Sequence, residues 1–162
     1  MASRLILKKG DIFEVPLQNG SVRYFQYLMN DLTQLNSDVI RVFNLKEKPL
    51  KENIQKEILD SGIDFYVHCS IRIGYKMNLW HKIGHIKIEP NHEIPIFRDT
   101  NDYGNQEIKV SKIWHAWKPN ENFVKIGELT DETRKYDIGL VINPNGVMEL
   151  LKGNKYPPLY PD

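Results

Sequence analysis

GDIFEVPLQNGSVRYFQYL, residues 10–28, is the stretch whose reading decides the fold. Phe13, Val15 and Leu17 fall at every second position, with Glu14 and Pro16 between them. That is the period of a strand with one buried face. Asn19 and Gly20 follow, and both tolerate positive φ, which predicts a type I′ turn between antiparallel strands. Ser21–Leu28 supplies the returning strand, rich in Val, Tyr and Phe. DVIRVFN, residues 38–44, reads as a third strand with β-branched residues on both faces. Three strands in meander order predict a small curled sheet or partial barrel.

Beyond the meander, Pro49 opens a predicted helix over about 49–61, because proline is tolerated in a first turn. Leu50, Ile54 and Ile58 stack four residues apart and Leu59 widens the stripe, while Gly62 supplies a left-handed stop. Ile63–Ile73 returns to strand composition, with Phe65, Val67 and Cys69 on one face and Tyr66, His68 and Ser70 on the other. Gly74 marks a bulge or turn. Further strands are expected over Leu79–Ile88, Ile94–Arg98, Lys109–Lys118 and Phe123–Ile126. Asp99–Gln106 is a polar, turn-rich loop, and Thr130 can cap a brief helical turn. Asn143-Pro144-Asn145-Gly146 has the signature of a second hairpin, between strands at 137–142 and 147–151. The predicted class is α+β: a mainly antiparallel curled sheet or partial barrel, with an SH3-like N-terminal meander and one principal helix. We expect a single domain over 1–162, with its core at about 9–151 and a Pro/Tyr-rich tail at 152–162.

Composition narrows the class of function. The net charge is +1, from 22 basic and 21 acidic residues, which speaks against a dedicated nucleic-acid binder with a basic excess. One cysteine, Cys69, leaves no intrachain disulfide and fits a reducing compartment. Neither a signal-peptide run nor a stretch of roughly 20 apolar residues is present, so a cytoplasmic protein without a membrane span is expected.

The chemistry-bearing residues do not assemble into a catalytic signature. His81 and His85 sit four apart on a predicted strand, more than about 10 Å apart if extended, so no metal site is expected. His68 and Cys69 are strand neighbours and point to opposite faces, which prevents a nucleophile–base bond between them. Trp114 and Trp117 are three apart, so a regular strand sends them opposite ways. One packs inside; the other is either core too or an exposed aromatic anchor for a protein partner. No catalytic residue and no cofactor is assigned.

The pattern Lys8-Lys9-Gly10-Asp11-Ile12-Phe13-Glu14-Val15-Pro16-Leu17, followed by a hairpin turn and Tyr24-Phe25, resembles the start of the immunity protein 26 family. Trp114–Trp117, Val124–Leu129 and the 138–151 segment are similar to that family's C-terminal half. The resemblance implies an α+β protein of a bacterial polymorphic toxin system. Such a protein binds its cognate toxin non-covalently and is not an enzyme. The expected contact residues are Asp99, Asp102, Tyr103, Trp117, Glu121, Asp131 and Glu132, on loops and exposed aromatics, with the acids able to mimic phosphates before a nuclease toxin. Two alternatives stay open. One is a nucleic-acid-associated SH3-like barrel or ribonuclease-type toxin: the strand–turn–strand opening also resembles the start of ribonuclease toxins of that fold, for which Arg23, Arg41 and Arg72 are available. The other is an enzyme using His68, Cys69 and another histidine.

Overall fold

The computed structural model describes residues 4–49, 52, 54–154 and 161–162. The meander forms as the alternation predicts: β1 (Asp11–Pro16), β2 (Val22–Asp31) and β3 (Ser37–Phe43) pair antiparallel in sequence order. The turn between β1 and β2 differs from the expected type. Gly20 has φ 80° but Asn19 is not in the positive-φ region. The Gly20 amide donates to the Leu17 carbonyl and the Leu17 amide to the Ser21 carbonyl, at 3.1 and 2.9 Å. This is a three-residue loop whose glycine ends an ordinary turn in the left-handed region.

The chain then lays down α1 (Ile54–Asp60), β4 (Ile63–Cys69), α2 (Ile71–Lys76), β5 (His81–His85), β6 (Phe97–Asp99), β7 (Trp114–Trp117) and β8 (Val124–Gly127). A 3-10 turn (Thr133–Lys135), β9 (Asp137–Ile138), β10 (Val141–Ile142) and α3 (Pro144–Leu151) complete it. Among the described residues two open sheets result, ordered β10-β4-β3-β2-β1-β5 and β8-β7-β6-β9. Pairing is antiparallel except for β10 on β4 and β9 on β6. The class is therefore α+β and mainly antiparallel, as expected. No described helix is long and apolar enough to cross a membrane.

β1 was expected to bury one face, yet Asp11 to Val15 are all buried. The reason is that both faces of the first sheet are covered. On one face Phe13, Phe25, Ile40, Val42 and Val67 pack against Trp80 and against Val147 and Leu151 of α3. Phe13 stacks on Phe25 with centroids 5.0 Å apart, and Phe25 meets Trp80 edge-on at 5.4 Å. On the other face Ile12, Tyr24 and Phe43 meet Ile58 of α1 at one end. At the other end Leu28 and Val39 meet Phe97 and Trp117 of the second sheet.

Three local expectations are corrected. Ile71–Ile73 lies in α2 and does not extend β4. Gly74 sits inside that helix rather than at a bulge, because a Cβ there would lie 1.9 Å from the Trp80 ring. Residues 144–151 form a helix, not a hairpin strand: the Asn143 side chain accepts from the Gly146 amide at 2.8 Å, and Pro144 occupies the first turn. The helix expected from Pro49 is described only from Ile54; it buries Ile58, leaves Leu59 exposed, and its expected contact through Leu50 lies outside the described residues. Most of the Pro/Tyr-rich tail also lies outside them. Asp162, at its end, exchanges backbone bonds with Lys109 and Ser111 and pairs with Arg134 at 2.8 Å.

The Lys-Lys-Gly-Asp opening has a structural role. Gly10 has φ 100°, its amide donates to the Tyr27 carbonyl, and a Cβ on it would lie 2.6 Å from the Ile86 carbonyl oxygen. Asp11, fully buried, pairs with Lys82 at 2.9 Å and His85 at 3.1 Å. His81 faces Glu14 at 3.4 Å. The two histidines of β5 are thus each matched to an acid of β1.

Candidate partner-binding face

The two sheets are tied together at the end of β2 by one buried carboxylate. Asp31 Oδ2 accepts from Trp117 Nε1 at 2.9 Å and lies 2.9 Å from His68 Nε2. Its Oδ1 accepts from the backbone amides of Asn120, Thr33 and Gln34 at 2.9, 3.0 and 3.3 Å. Burial pushes the Asp31 carboxyl up, but the bonds from Asn120, Trp117 and His68 outweigh it and hold it below the usual carboxylate range. Burial pushes His68 down, against the opposing pull of Asp31. The neutral ring therefore carries its proton on Nε2, facing the carboxylate.

This cluster fixes two turns side by side. Pro119-Asn120 makes a tight turn in which Asn120 has φ 69° and the Glu121 amide donates to the Lys118 carbonyl at 2.9 Å. The Asn120 side chain accepts from the Leu32 amide and donates to the Asn30 carbonyl, each at 2.9 Å. In the β2–β3 turn, Leu35 and Asn36 have φ of 56° and 52°. Gln34 Nε2 donates to the Gly139 carbonyl at 2.6 Å, and Ser37 caps the turn onto the Gln34 carbonyl. A branched aliphatic side chain at positive φ is strained, and it persists only where its surroundings fix it.

The apolar side chains of these turns point to solvent. Leu32 is 73% exposed, Leu35 81% and Phe123 46%. Phe123 rests edge-on against Trp117 at 4.5 Å, so it is the outermost ring of the inter-sheet stack. Beside it, Asp99, Thr100, Asn101 and His115 line a cavity of about 230 Å³.

The expected contact residues are distributed unevenly around this face. Trp117, expected as an exposed anchor, is 3% exposed because its indole N–H is taken by Asp31. Asp99 lines the cavity next to Phe123, and Glu121 is exposed in the turn that carries it. Asp102 accepts from Ser111 at 2.7 Å, and half-buried Tyr103 has its phenol pushed up by burial and by Asp99. Asp131 and Glu132 are exposed but stand on another turn, paired with Arg134 and Lys135 at 3.5 and 3.3 Å. Leu32, Leu35 and Phe123 were not anticipated. Leucines in a polar turn carry no period, and only the exposed setting distinguishes them.

The residues of the rival readings are placed elsewhere. Cys69 is buried on the face opposite His68, and burial, with Asp38 adding, pushes its thiol up, away from the reactive thiolate. Arg23 is buried in an ion pair with Asp64, and Arg41 donates to Gln26 and lies over the Phe43 ring. Only Arg72 of the three arginines is exposed.

Comparison with known proteins gives one family. A sequence model described as Immunity protein 26 matches residues 8–109, which takes in β1 to β6 and stops before Trp114. No curated protein and no solved structure matches the chain. With well over half of its residues aligned to that model, the chain belongs to the immunity protein 26 family.

Proposed function

We propose that this protein neutralises a bacterial toxin by direct, non-covalent binding, in the cytoplasm of the cell that makes the toxin. The observation that carries the reading is Leu35, a solvent-facing aliphatic side chain held at positive φ by a buried polar cluster. Strain of that kind is retained where a surface is pre-organised for binding. Leu32, Leu35 and Phe123 form the apolar centre of the contact, with Asp99, Glu121 and the Asp102–Tyr103 turn as its polar rim. Trp117 supports Phe123 from beneath and does not touch the partner. Asp131 and Glu132 are local ion-pair partners and lie outside the contact.

Family membership supports a toxin as the partner, and the absence of an assembled nucleophile–base pair at Cys69 fits binding rather than catalysis. The test is co-purification with the toxin encoded beside it, and rescue of cells producing that toxin. Leu35→Asp is expected to weaken the complex by about 2 kcal/mol or more, roughly 30-fold, while Glu132→Ala leaves it unchanged. Failure to form any complex, or equal affinity for Leu35→Asp and the parent, would sink the reading.

A further inference from the structure

The chain holds two Asn-Gly pairs, Asn19-Gly20 and Asn145-Gly146. An asparagine side-chain amide is an electrophile within reach of the next residue's backbone nitrogen. Glycine, without a Cβ, gives that nitrogen its least hindered approach. The sequence makes the two pairs equivalent, and the fold separates them.

Asn19 and Gly20 are both exposed at the tip of the β1–β2 turn. A Cβ on Gly20 would meet nothing within 4 Å, so the space over this peptide unit is open. Asn19 Oδ1 accepts from the Ser21 amide at 3.0 Å and from the Ser21 hydroxyl. Asparagine side chains commonly bond their own backbone two residues on. Here the bonds have a chemical effect, because both donors converge on the oxygen that becomes negative when the amide carbon is attacked. The Gly20 amide is held by a 3.1 Å bond to the Leu17 carbonyl, in a loop open to water on a scale of local fluctuation.

Asn145-Gly146 is held differently. It lies in the first turn of α3, where the Gly146 amide donates to the Asn143 side chain at 2.8 Å. The next amide, of Val147, donates to the Asn143 carbonyl at 3.0 Å. Freeing the Gly146 nitrogen therefore undoes the cap of a helix that sets Val147 and Leu151 into the core.

We propose that Asn19 is a site of spontaneous deamidation in the folded protein. The Gly20 nitrogen gives its proton to solvent base and bonds to Asn19 Cγ. The oxygen of the tetrahedral intermediate keeps the two Ser21 donors. The bond from Cγ to the side-chain nitrogen then breaks, and that nitrogen takes up a proton and leaves as ammonia. A succinimide ring remains. Water opens it at Cγ to give aspartate, or at the main-chain carbonyl to give isoaspartate. Overall one water is consumed and one ammonia released.

The two products differ in what they do to the turn. Aspartate keeps an acceptor for both Ser21 donors, now charged, so the turn survives. Isoaspartate routes the main chain through the side-chain carbon and adds an atom between Leu17 and Ser21, against the 2.9 Å bond that closes them. Either product takes the formal net charge from +1 to zero. The ten residues of β2 place this tip about 30 Å from Leu32, so the change leaves the proposed toxin contact untouched.

The test is incubation of the full folded chain in mildly alkaline buffer, read by peptide mass mapping. Trypsin releases Gly10–Arg23, in which Asn19 is the single asparagine, and carries Asn145 in Tyr136–Lys152. A gain of one mass unit is expected in Gly10–Arg23, split into two chromatographic species, roughly tenfold faster than in Tyr136–Lys152. Ser21→Ala removes the hydroxyl donor and keeps the amide. It is expected to slow the gain about 5-fold, the worth of one ordinary hydrogen bond, whereas a turn merely loosened by the change would convert faster. Three results would overturn the proposal: equal or faster conversion in Tyr136–Lys152; unchanged or faster conversion in Ser21→Ala; or no conversion of Asn19 in the folded chain under conditions that convert the free Gly10–Arg23 peptide.

Discussion

Asp31 concentrates more of this structure than any other side chain. It joins the end of β2 to His68 of β4, Trp117 of β7 and Asn120 of the following turn. Asp31→Asn keeps the shape but replaces one acceptor oxygen by a donor facing donors. A loss of about 3 kcal/mol is expected in chemical denaturation. The carboxyl is depressed in the folded state, so its contribution is present above the unfolded value and is lost as pH falls through the folded one. His68, also depressed, acts in the same direction, because the unfolded ring takes up a proton first. Asp137 has the opposite sign. Burial pushes it up to about 6 from 3.8, with Asp64 adding to the rise and the Tyr66 amide and Arg98 opposing it. The folded chain holds that proton more tightly than the unfolded one. Its contribution is therefore complete below about pH 4 and lost as pH rises through about 6. Asp137→Asn should stabilise the protein by about 1–3 kcal/mol at pH 7.5, with the gain vanishing near pH 4 in thermal melts.

The elements differ in how plainly the sequence announced them. β1, β2 and β3 were legible because alternation, β-branched content and a glycine turn agree over residues 10–44. α2 was hidden because Ile71-Arg72-Ile73 alternates like a strand, and a helix of six residues is too short to show a period. Its existence depends on Trp80, whose indole N–H reaches the Ile71 carbonyl at 3.0 Å and whose ring fills the place of a Cβ at Gly74. Gly74→Ala is expected to cost about 2–3 kcal/mol or more through overpacking, despite alanine's better helix propensity, and urea unfolding would measure it. α3 was misread because Asn145-Gly146 is a strong hairpin signal, although Asn143-Pro144 was an equally good helix start. The proposed partner-binding face was the least legible part. Asp31 and Trp117 are 86 positions apart, and no local spacing records a bond of that range.

At the scale of the whole molecule, two segments far apart in sequence close the first sheet. Residues 137–142 pair in parallel with β6 of the second sheet and then with β4 of the first. α3 follows and sets Val147 and Leu151 into the core beneath β1–β4. A chain ended after Tyr136 loses both parallel strands and that helix, although it retains the whole family-matched span. It is expected to be insoluble or to lack a cooperative melt, because it leaves a long open β4 edge above an uncovered core. The same arrangement has a consequence during synthesis. β4 leaves the ribosome about 70 residues before β10, at roughly 5–20 residues per second, so its edge waits several seconds for its own strand. Through that interval the nascent chain displays an unpaired edge to every extended segment nearby, including those of other nascent copies. In the proposed role, protection is therefore paced by translation of the last third, and slow codons there would delay it more than slow codons in the loops between β5 and β7.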